Sequence, residues 1–565
     1  MMSLELYKNW QQQQLPLYLA DELTQLMTDE KAIEDCFYQY VSFGTGGMRG
    51  ILGAGTNRMN IYTIRRVAEG LARYISSNGE EAKKRGVAIA YDTRHFSYVF
   101  AVETARVLGA HSITSYIYIE ARPTPQLSFT VRELNAFAGV VITASHNPKQ
   151  YNGFKVYGED GAQLVPTGAN AIIEHMNQIS DIFAIEVADV TELEKQGLFH
   201  WILEDFDEKF MNNLLTLKNN NNIDYNMKLV YTPLHGAGLV PVVEGLKKFG
   251  FNEVHVVEEQ AVQDGAFPTV AYPNPEEAAA FAMAIELGNQ VGADLLLATD
   301  PDADRLGVAV RKGISYELLT GNQLGALLLN YILHTKQESG TLPNKGAMLK
   351  TIVTSELGTA IAAHYGVTTV NTLTGFKYIA EKIAEFEMTK AHTYLFGYEE
   401  SYGYLIETFA RDKDAVQVAL KVAEMAAYYS TQEKTLLDAL EELYEHFGYY
   451  KEALVSKVFE GKDGQDQMKA ILNNYRLNTP QEIAGLVVVR VEDYLTGIAT
   501  LDDGTTEPIV LPKENVLKFL LEDDSWIAIR PSGTEPKCKF YFGVVRETEE
   551  QANNILGLLK ENILV

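Results

Sequence analysis

Four short apolar runs, each stopped abruptly by a polar cluster, constrain this chain more than any other feature. Residues 139–142 run into Thr143-Ala144-Ser145-His146-Asn147-Pro148, and residues 295–298 into Thr299-Asp300-Pro301-Asp302-Ala303-Asp304-Arg305. Residues 394–396 run into Gly397-Tyr398-Glu399-Glu400-Ser401, and residues 526–529 into Arg530-Pro531-Ser532-Gly533-Thr534-Glu535-Pro536-Lys537. Short apolar runs bounded by turn residues read as buried strands. Helical patterns lie between them, so the expected class is α/β with mixed, largely parallel sheets. Ligands of such sheets bind at the carboxyl ends of strands. The four clusters are therefore expected to contribute one loop each to a shared cleft.

At 565 residues the chain is several domains long. Residues 86–91 and 138–142 are expected as strands and 102–110 as a helix; 228–231 and 293–298 restart the strand pattern, followed by 348–353 and 393–396. The run of asparagines within 218–226 reads as an exposed connection. After about Phe447 the character changes: 486–491 and 498–501 suggest antiparallel strands, with the second followed by the turn Asp502-Asp503-Gly504. The expected division is four domains: 1–205, an N-terminal extension with a first α/β domain; 206–318 and 319–445, two further α/β domains; and 446–565, an α+β domain.

A formal net charge of -27 argues against a nucleic-acid partner and against acidic membranes. An anionic substrate would then need a focused cluster of cations and backbone N–H groups. The two cysteines, Cys36 and Cys538, have neither CxxC nor metal spacing, as expected of reduced thiols in a cytoplasm. The first thirty residues lack the long apolar core of a signal peptide, and 324–333, broken by Asn330, is too short to cross a bilayer. The expected location is cytoplasmic.

Ser145 sits where a strand would end in a turn, and both a turn-capping hydroxyl and a nucleophile fit that position. Asp300, Asp302 and Asp304 repel one another unless a cation sits among them, and an all-oxygen set favours Mg²⁺ or Ca²⁺. An EF-hand is excluded, because its required glycine position holds Arg305 and its closing glutamate position Arg311. Mg²⁺ shared with a phosphate oxygen is the expectation. Residues 530–537 combine a guanidinium, hydroxyls, a glycine and an ammonium, which suits a phosphate cradle that is not a Walker A loop. Glu399, Glu400 and Ser401 could take up vicinal sugar hydroxyls or simply begin a solvated helix. Phe43-Gly44-Thr45-Gly46-Gly47-Met48-Arg49-Gly50 could cradle phosphate or be a flexible turn.

Taken together, and in this order, the clusters resemble the α-D-phosphohexomutase family from about Phe43 to the C-terminus. The resemblance implies three related α/β domains and a C-terminal α+β domain around a central cleft. It places the family's phosphorylatable serine on Ser145 and its magnesium ligands on Ser145, Asp300, Asp302 and Asp304, with Arg305 beside them. Sugar contacts fall on Glu399 and Ser401, and phosphate contacts on Arg530, Ser532, Gly533, Thr534 and Lys537. The active-site arginine falls on Arg49. Lys155 and Lys413 lie in further family segments, and Thr374, Gly375 and Lys377 in a loop that takes part in substrate choice.

The implied reaction is a phosphoryl shuttle between Ser145 and a sugar monophosphate through a bisphosphorylated sugar, glucose 1,6-bisphosphate if the sugar is glucose. His146, Lys155 and Lys413 are all open as the general base. Tyr398 in the sugar loop, and the absence there of the Gly-His common in enzymes that also act on mannose, favour glucose. The helical region before Phe43 resembles a longer branch that includes phosphopentomutase-like enzymes, so mannose and pentose phosphates stay open. So do a phosphatase, a non-catalytic sugar-phosphate-binding protein, and either a monomer or a dimer.

Overall fold

The computed structural model describes residues 2–44, 47–219, 222–459, 461–531 and 537–563. The chain forms two compact units: residues 1–319 with 380–384 and 402–431, and residues 320–379 with 385–401 and 432–565.

Two sheets organise the first unit. In one, strands Val87–Tyr91, Ala138–Ile142, Ser115–Tyr118 and Phe199–Ile202 run parallel, and Tyr151–Tyr157 and Gly47–Ile51 extend the sheet antiparallel beyond Ala138–Ile142. Every residue of Val87–Tyr91 and Ala138–Ile142 is buried, as expected of central strands covered on both faces. The covering helix Ile61–Ser77 turns Ile64, Val67, Leu71 and Ile75 into that core at helical spacing. Asn60 starts it with a capping box, its side chain accepting from Tyr62 and Thr63 N–H. In the second sheet, Leu295–Thr299, Leu229–Thr232 and Val254–Val256 are parallel, and Leu306–Lys312 and Ser315–Leu318 add antiparallel edges.

The region before Phe43 is helical as expected: Met2–Gln11, Leu17–Leu26 and Glu30–Phe37. Trp10 locks it on, with its ring edge-on to Phe37, Tyr62 and Phe183 at 5.7, 5.6 and 5.4 Å.

In the second unit, Thr368–Thr372, Gly346–Thr351 and Thr393–Glu399 pair in parallel in that order. The C-terminal part is α+β: Tyr449–Val458, Lys537–Arg546, Trp526–Pro531, Leu517–Leu521, Leu486–Asp493, Ile498–Leu501 and Thr506–Pro508 form one antiparallel sheet in that order, flanked by helices Gly461–Leu477 and Glu549–Ile563.

Several elements differ from the sequence expectation. The helix expected over 102–110 begins at Ser97, and the strand expected over 348–353 covers Gly346–Thr351. The two flanks of the glycine-rich segment pair antiparallel, with Phe43 opposite Met48 and Gly44 opposite Gly47, so Arg49 sits on a strand. Residues 45 and 46 lie outside the described residues.

Tyr398 also falls in an unexpected place. Its ring stacks on Phe396 at 5.5 Å and is fully buried in the core, so it does not line a sugar site. Gly325, inside helix Gly321–Glu338, leaves room for it: an added Cβ would lie 2.3 Å from Tyr398 Cδ2. Gly325→Ala should therefore lower stability by about 1–3 kcal/mol despite alanine's better helix propensity. Urea unfolding checks this; a gain in stability would contradict the packing.

Candidate active site

Ser145 is buried just beyond strand Ala138–Ile142, at φ +52°, a left-handed conformation costly for a residue with a side chain. Its Oγ donates to Asp300 Oδ2 at 2.7 Å and lies 3.1 Å from His146 Nδ1. Its own N–H donates to Thr143 Oγ1 at 2.8 Å. Arg49 Nη1 donates to Asn147 Oδ1 at 3.0 Å, tying the strand Gly47–Ile51 to the serine turn.

Asp300, Asp302 and Asp304 follow strand Leu295–Thr299, all three buried, and each offers an oxygen within 4.8 Å of the others'. A solvated acidic turn is ruled out by that burial. The loop closes on itself: Asp304 and Arg305 N–H donate to Asp300 Oδ1 at 3.1 and 3.0 Å. Asp302 Oδ2 accepts from Lys155 Nζ and from Thr124 Oγ1, both at 2.8 Å. Asp304 Oδ2 receives Lys413 Nζ at 3.1 Å and Lys155 Nζ at 3.3 Å. The second oxygens, Asp302 Oδ1 and Asp304 Oδ1, are buried and have no hydrogen-bond partner among the described residues. Buried carboxylate oxygens of that kind suit a hard cation, so the donor set fits a divalent metal.

The electrostatics follow from the crowding. Burial, and then the charges of Asp302 and Asp304, push the Asp300 carboxyl well above its usual range. Burial acts the same way on Asp304, but Lys413, Lys155 and Arg305 outweigh it and hold that carboxyl far below its usual range. Burial, reinforced by Arg305 and Arg49, drives the His146 imidazole well below its usual value, which keeps it neutral. Lys155 is desolvated, yet Asp302 and Asp304 raise it and keep it charged.

In the second unit, Glu399 ends strand Thr393–Glu399 and is buried, accepting the Gly375 N–H at 2.8 Å. It is strand, so the alternative of a solvated helix start falls. Thr374 and Gly375 precede helix Phe376–Thr389, and the Lys377 ammonium lies 5.1 Å from the Tyr378 ring centre. Ser401 is half-buried just beyond that strand. Arg530 lies within strand Trp526–Pro531, which ends two residues beyond the apolar run, and its Nε and Nη2 both reach Glu514 Oε1 at 3.0 Å. Lys537 opens the strand Lys537–Arg546. Ser532, Gly533 and Thr534 lie outside the described residues.

Several residues at these loops lie outside the sequence motifs. Thr124 fastens the metal loop twice, by its side chain and by its N–H to Asp302 O at 2.8 Å. Glu276 pairs with the Arg305 guanidinium, and Asp412 accepts from Lys413 Nζ at 3.0 Å and from Tyr157 OH at 2.8 Å. Glu400, inside the sugar motif, accepts from Thr351 and Thr354 at 3.3 and 3.2 Å. Asp92 and Arg94 carried the same signal as the four chosen clusters, since they follow a buried strand, Val87–Tyr91.

Comparisons with known proteins bear on the chain as a whole. Domains I, II, III and the C-terminal domain of the phosphoglucomutase/phosphomannomutase family match residues 41–182, 208–313, 320–447 and 458–556. A phosphoglucomutase of Staphylococcus haemolyticus is 40% identical over 523 residues, covering 92% of this chain and 93% of its own. One from Staphylococcus epidermidis is 42% identical over 504 residues, covering 89% and 90%. Among solved structures, the open form of Paramecium parafusin, a phosphoglucomutase, superposes with a TM-score of 0.67 at 18% identity, covering 93% of this chain and 95% of that one. A phosphoglucomutase/phosphomannomutase family protein of Burkholderia thailandensis gives 0.66 at 16% identity, covering 92% and 96%; at such identities both likenesses speak for the fold. Matched through four successive domains and along most of its length, this chain belongs to the phosphoglucomutase/phosphomannomutase family, the α-D-phosphohexomutases.

Proposed function

We propose that this phosphohexomutase interconverts glucose 1-phosphate and glucose 6-phosphate, with Ser145 as the resident phosphoryl carrier. The observation that carries the reading is the Ser145 hydroxyl held 2.7 Å from Asp300 beside two further buried carboxylates, each with an oxygen that makes no hydrogen bond among the described residues. The choice of glucose rests on relatives of about two-fifths identity named phosphoglucomutase. The domain boundaries proposed are 205, 318 and 445, and the proposed location is cytoplasmic.

Ser145, Asp300, Asp302 and Asp304 would hold Mg²⁺, which when bound neutralises charge on the transferring group. The protein's own groups do the rest. Phosphorylated Ser145 gives its phosphoryl group to a sugar hydroxyl: the Ser145 Oγ–P bond breaks, a bond from the sugar oxygen to phosphorus forms, and the hydroxyl proton passes to a base. The resulting glucose 1,6-bisphosphate turns over and returns its other phosphate to Ser145. His146, held neutral and 3.1 Å from Ser145 Oγ, can take a proton; Lys155, held charged by Asp302 and Asp304, and Lys413, paired with Asp304, serve better as cations on the phosphoryl oxygens. Arg49 and Arg305 add positive charge around the serine turn. Glu399 and Ser401 are assigned to sugar hydroxyls, Thr374, Gly375 and Lys377 to substrate choice. Arg530, Ser532, Gly533, Thr534 and Lys537 are assigned to the phosphate that is not reacting.

A phosphatase would need none of the hydroxyl-reading groups, and a non-catalytic binding protein would have no reason to keep Ser145 and all three aspartates.

Ser145→Ala should fold normally and reduce turnover of glucose 1-phosphate to background; a near-parent rate would remove Ser145 as carrier. Glu399→Gln should lower kcat/KM about 10- to 100-fold, the loss of one charged hydrogen bond, with Mg²⁺ affinity by calorimetry unchanged. An equal loss of metal affinity would refute its role as a sugar ligand. Mg²⁺ at about 100 times its Kd should stabilise the protein by ~2.7 kcal/mol, and Asp302→Asn should erase most of that gain in thermal unfolding. A gain that survives Asp302→Asn would place the cation elsewhere.

A further inference from the structure

We infer that Arg94, for which the reaction above has no role, is the positioning residue that holds the Ser145 turn in its reactive shape. This rests on the reading of Ser145 as the phosphoryl carrier. Arg94 is 3% exposed, and its guanidinium occupies the inside of the turn. Nη2 donates to Ser145 O at 2.5 Å and to Asn147 O, and Nη1 to Pro148 O at 2.9 Å and Tyr151 O at 3.1 Å. Nε lies 3.1 Å from Asp92 Oδ2, and the Phe267 ring centre lies 4.9 Å from the guanidinium carbon.

Four carbonyls of one loop thus converge on a single planar cation. Asp92 fixes the same loop from its other end, accepting from Thr143 Oγ1 at 2.6 Å and from Ser97 Oγ at 2.7 Å. Thr143 in turn accepts the Ser145 N–H. The left-handed φ of Ser145, +52°, is a conformation that persists only where the surroundings over-determine it, and here Arg94 grips its carbonyl while Thr143 grips its amide. With both fixed, Oγ is left directed at Asp300. A lysine would keep the charge but not the fork that reaches four carbonyls.

The test is Arg94→Lys, with Phe267→Leu as a milder second variant that keeps every Arg94 donor but removes the ring packed on its guanidinium, loosening its grip on the turn. Both are assayed with glucose 1-phosphate, Mg²⁺ and glucose 1,6-bisphosphate, after far-UV circular dichroism has confirmed folding. Since small misplacements of reacting groups cost about 100-fold, kcat in Arg94→Lys should fall about 100-fold with KM within threefold; Phe267→Leu should show the same split at about tenfold. Turnover within twofold of the parent in either folded variant, or a loss expressed mainly in KM, overturns the inference. If the parent protein carries no phosphate on Ser145 during turnover, the reading beneath it fails instead, and intact-mass measurement on the parent distinguishes the two failures.

Discussion

Three carboxylates buried within 4.8 Å of one another form the interaction on which the first unit's site depends. In a desolvated loop such a cluster is unstable unless positive charge compensates it. The chain supplies that charge unevenly. Lys155 and Lys413 meet Asp304, Lys155 also reaches Asp302, and Asp300 is left to the Ser145 hydroxyl and two backbone amides. The result is a graded set of carboxyls, with Asp304 held ionised and Asp300 pushed the other way. A divalent cation bound by the outstanding oxygens would complete the balance, and the nucleophile proposed here sits on the least compensated member.

Around that cluster the fold works mainly as a set of clamps. Strand Ala138–Ile142 ends at the serine turn and strand Leu295–Thr299 at the aspartate loop, so Ser145 and the three aspartates each follow a fully buried element. Thr124 ties the metal loop to the start of helix Thr124–Glu133. Arg94 and Asp92 tie the serine turn to the end of strand Val87–Tyr91. Asp414 caps helix Ala415–Ser430 through the Val416 and Gln417 amides, one residue beyond Lys413, which anchors the segment carrying that lysine.

Much of this was legible in the sequence because apolar runs and polar strand ends are local signals. Alternating Asp300, Asp302 and Asp304 announced a cation site from their spacing, and residues 138–142 announced a strand from their composition. Thr124 gave no such signal, since its partner lies 178 residues away; Arg94 shared the strand-end signal, but its partner Ser145 lies 51 residues away and only the folded sheet brings the two together. As a linear string the motif makes Tyr398 a departure in the sugar loop. Side chains alternate along a strand, so Tyr398 shares a face with Phe396 and turns into the core, opposite to Glu399. The 532–534 part of the expected phosphate loop lies outside the described residues, and its reading still rests on the resemblance.

The central claim is that phosphate moves through Ser145. Incubating the protein and Mg²⁺ with ³²P-labelled glucose 1,6-bisphosphate, then digesting it, measures this directly. The account requires the label on the peptide that contains Ser145, and its loss on adding unlabelled glucose 1-phosphate. Label on a different peptide, or label on Ser145 that the sugar phosphate cannot remove, would contradict it.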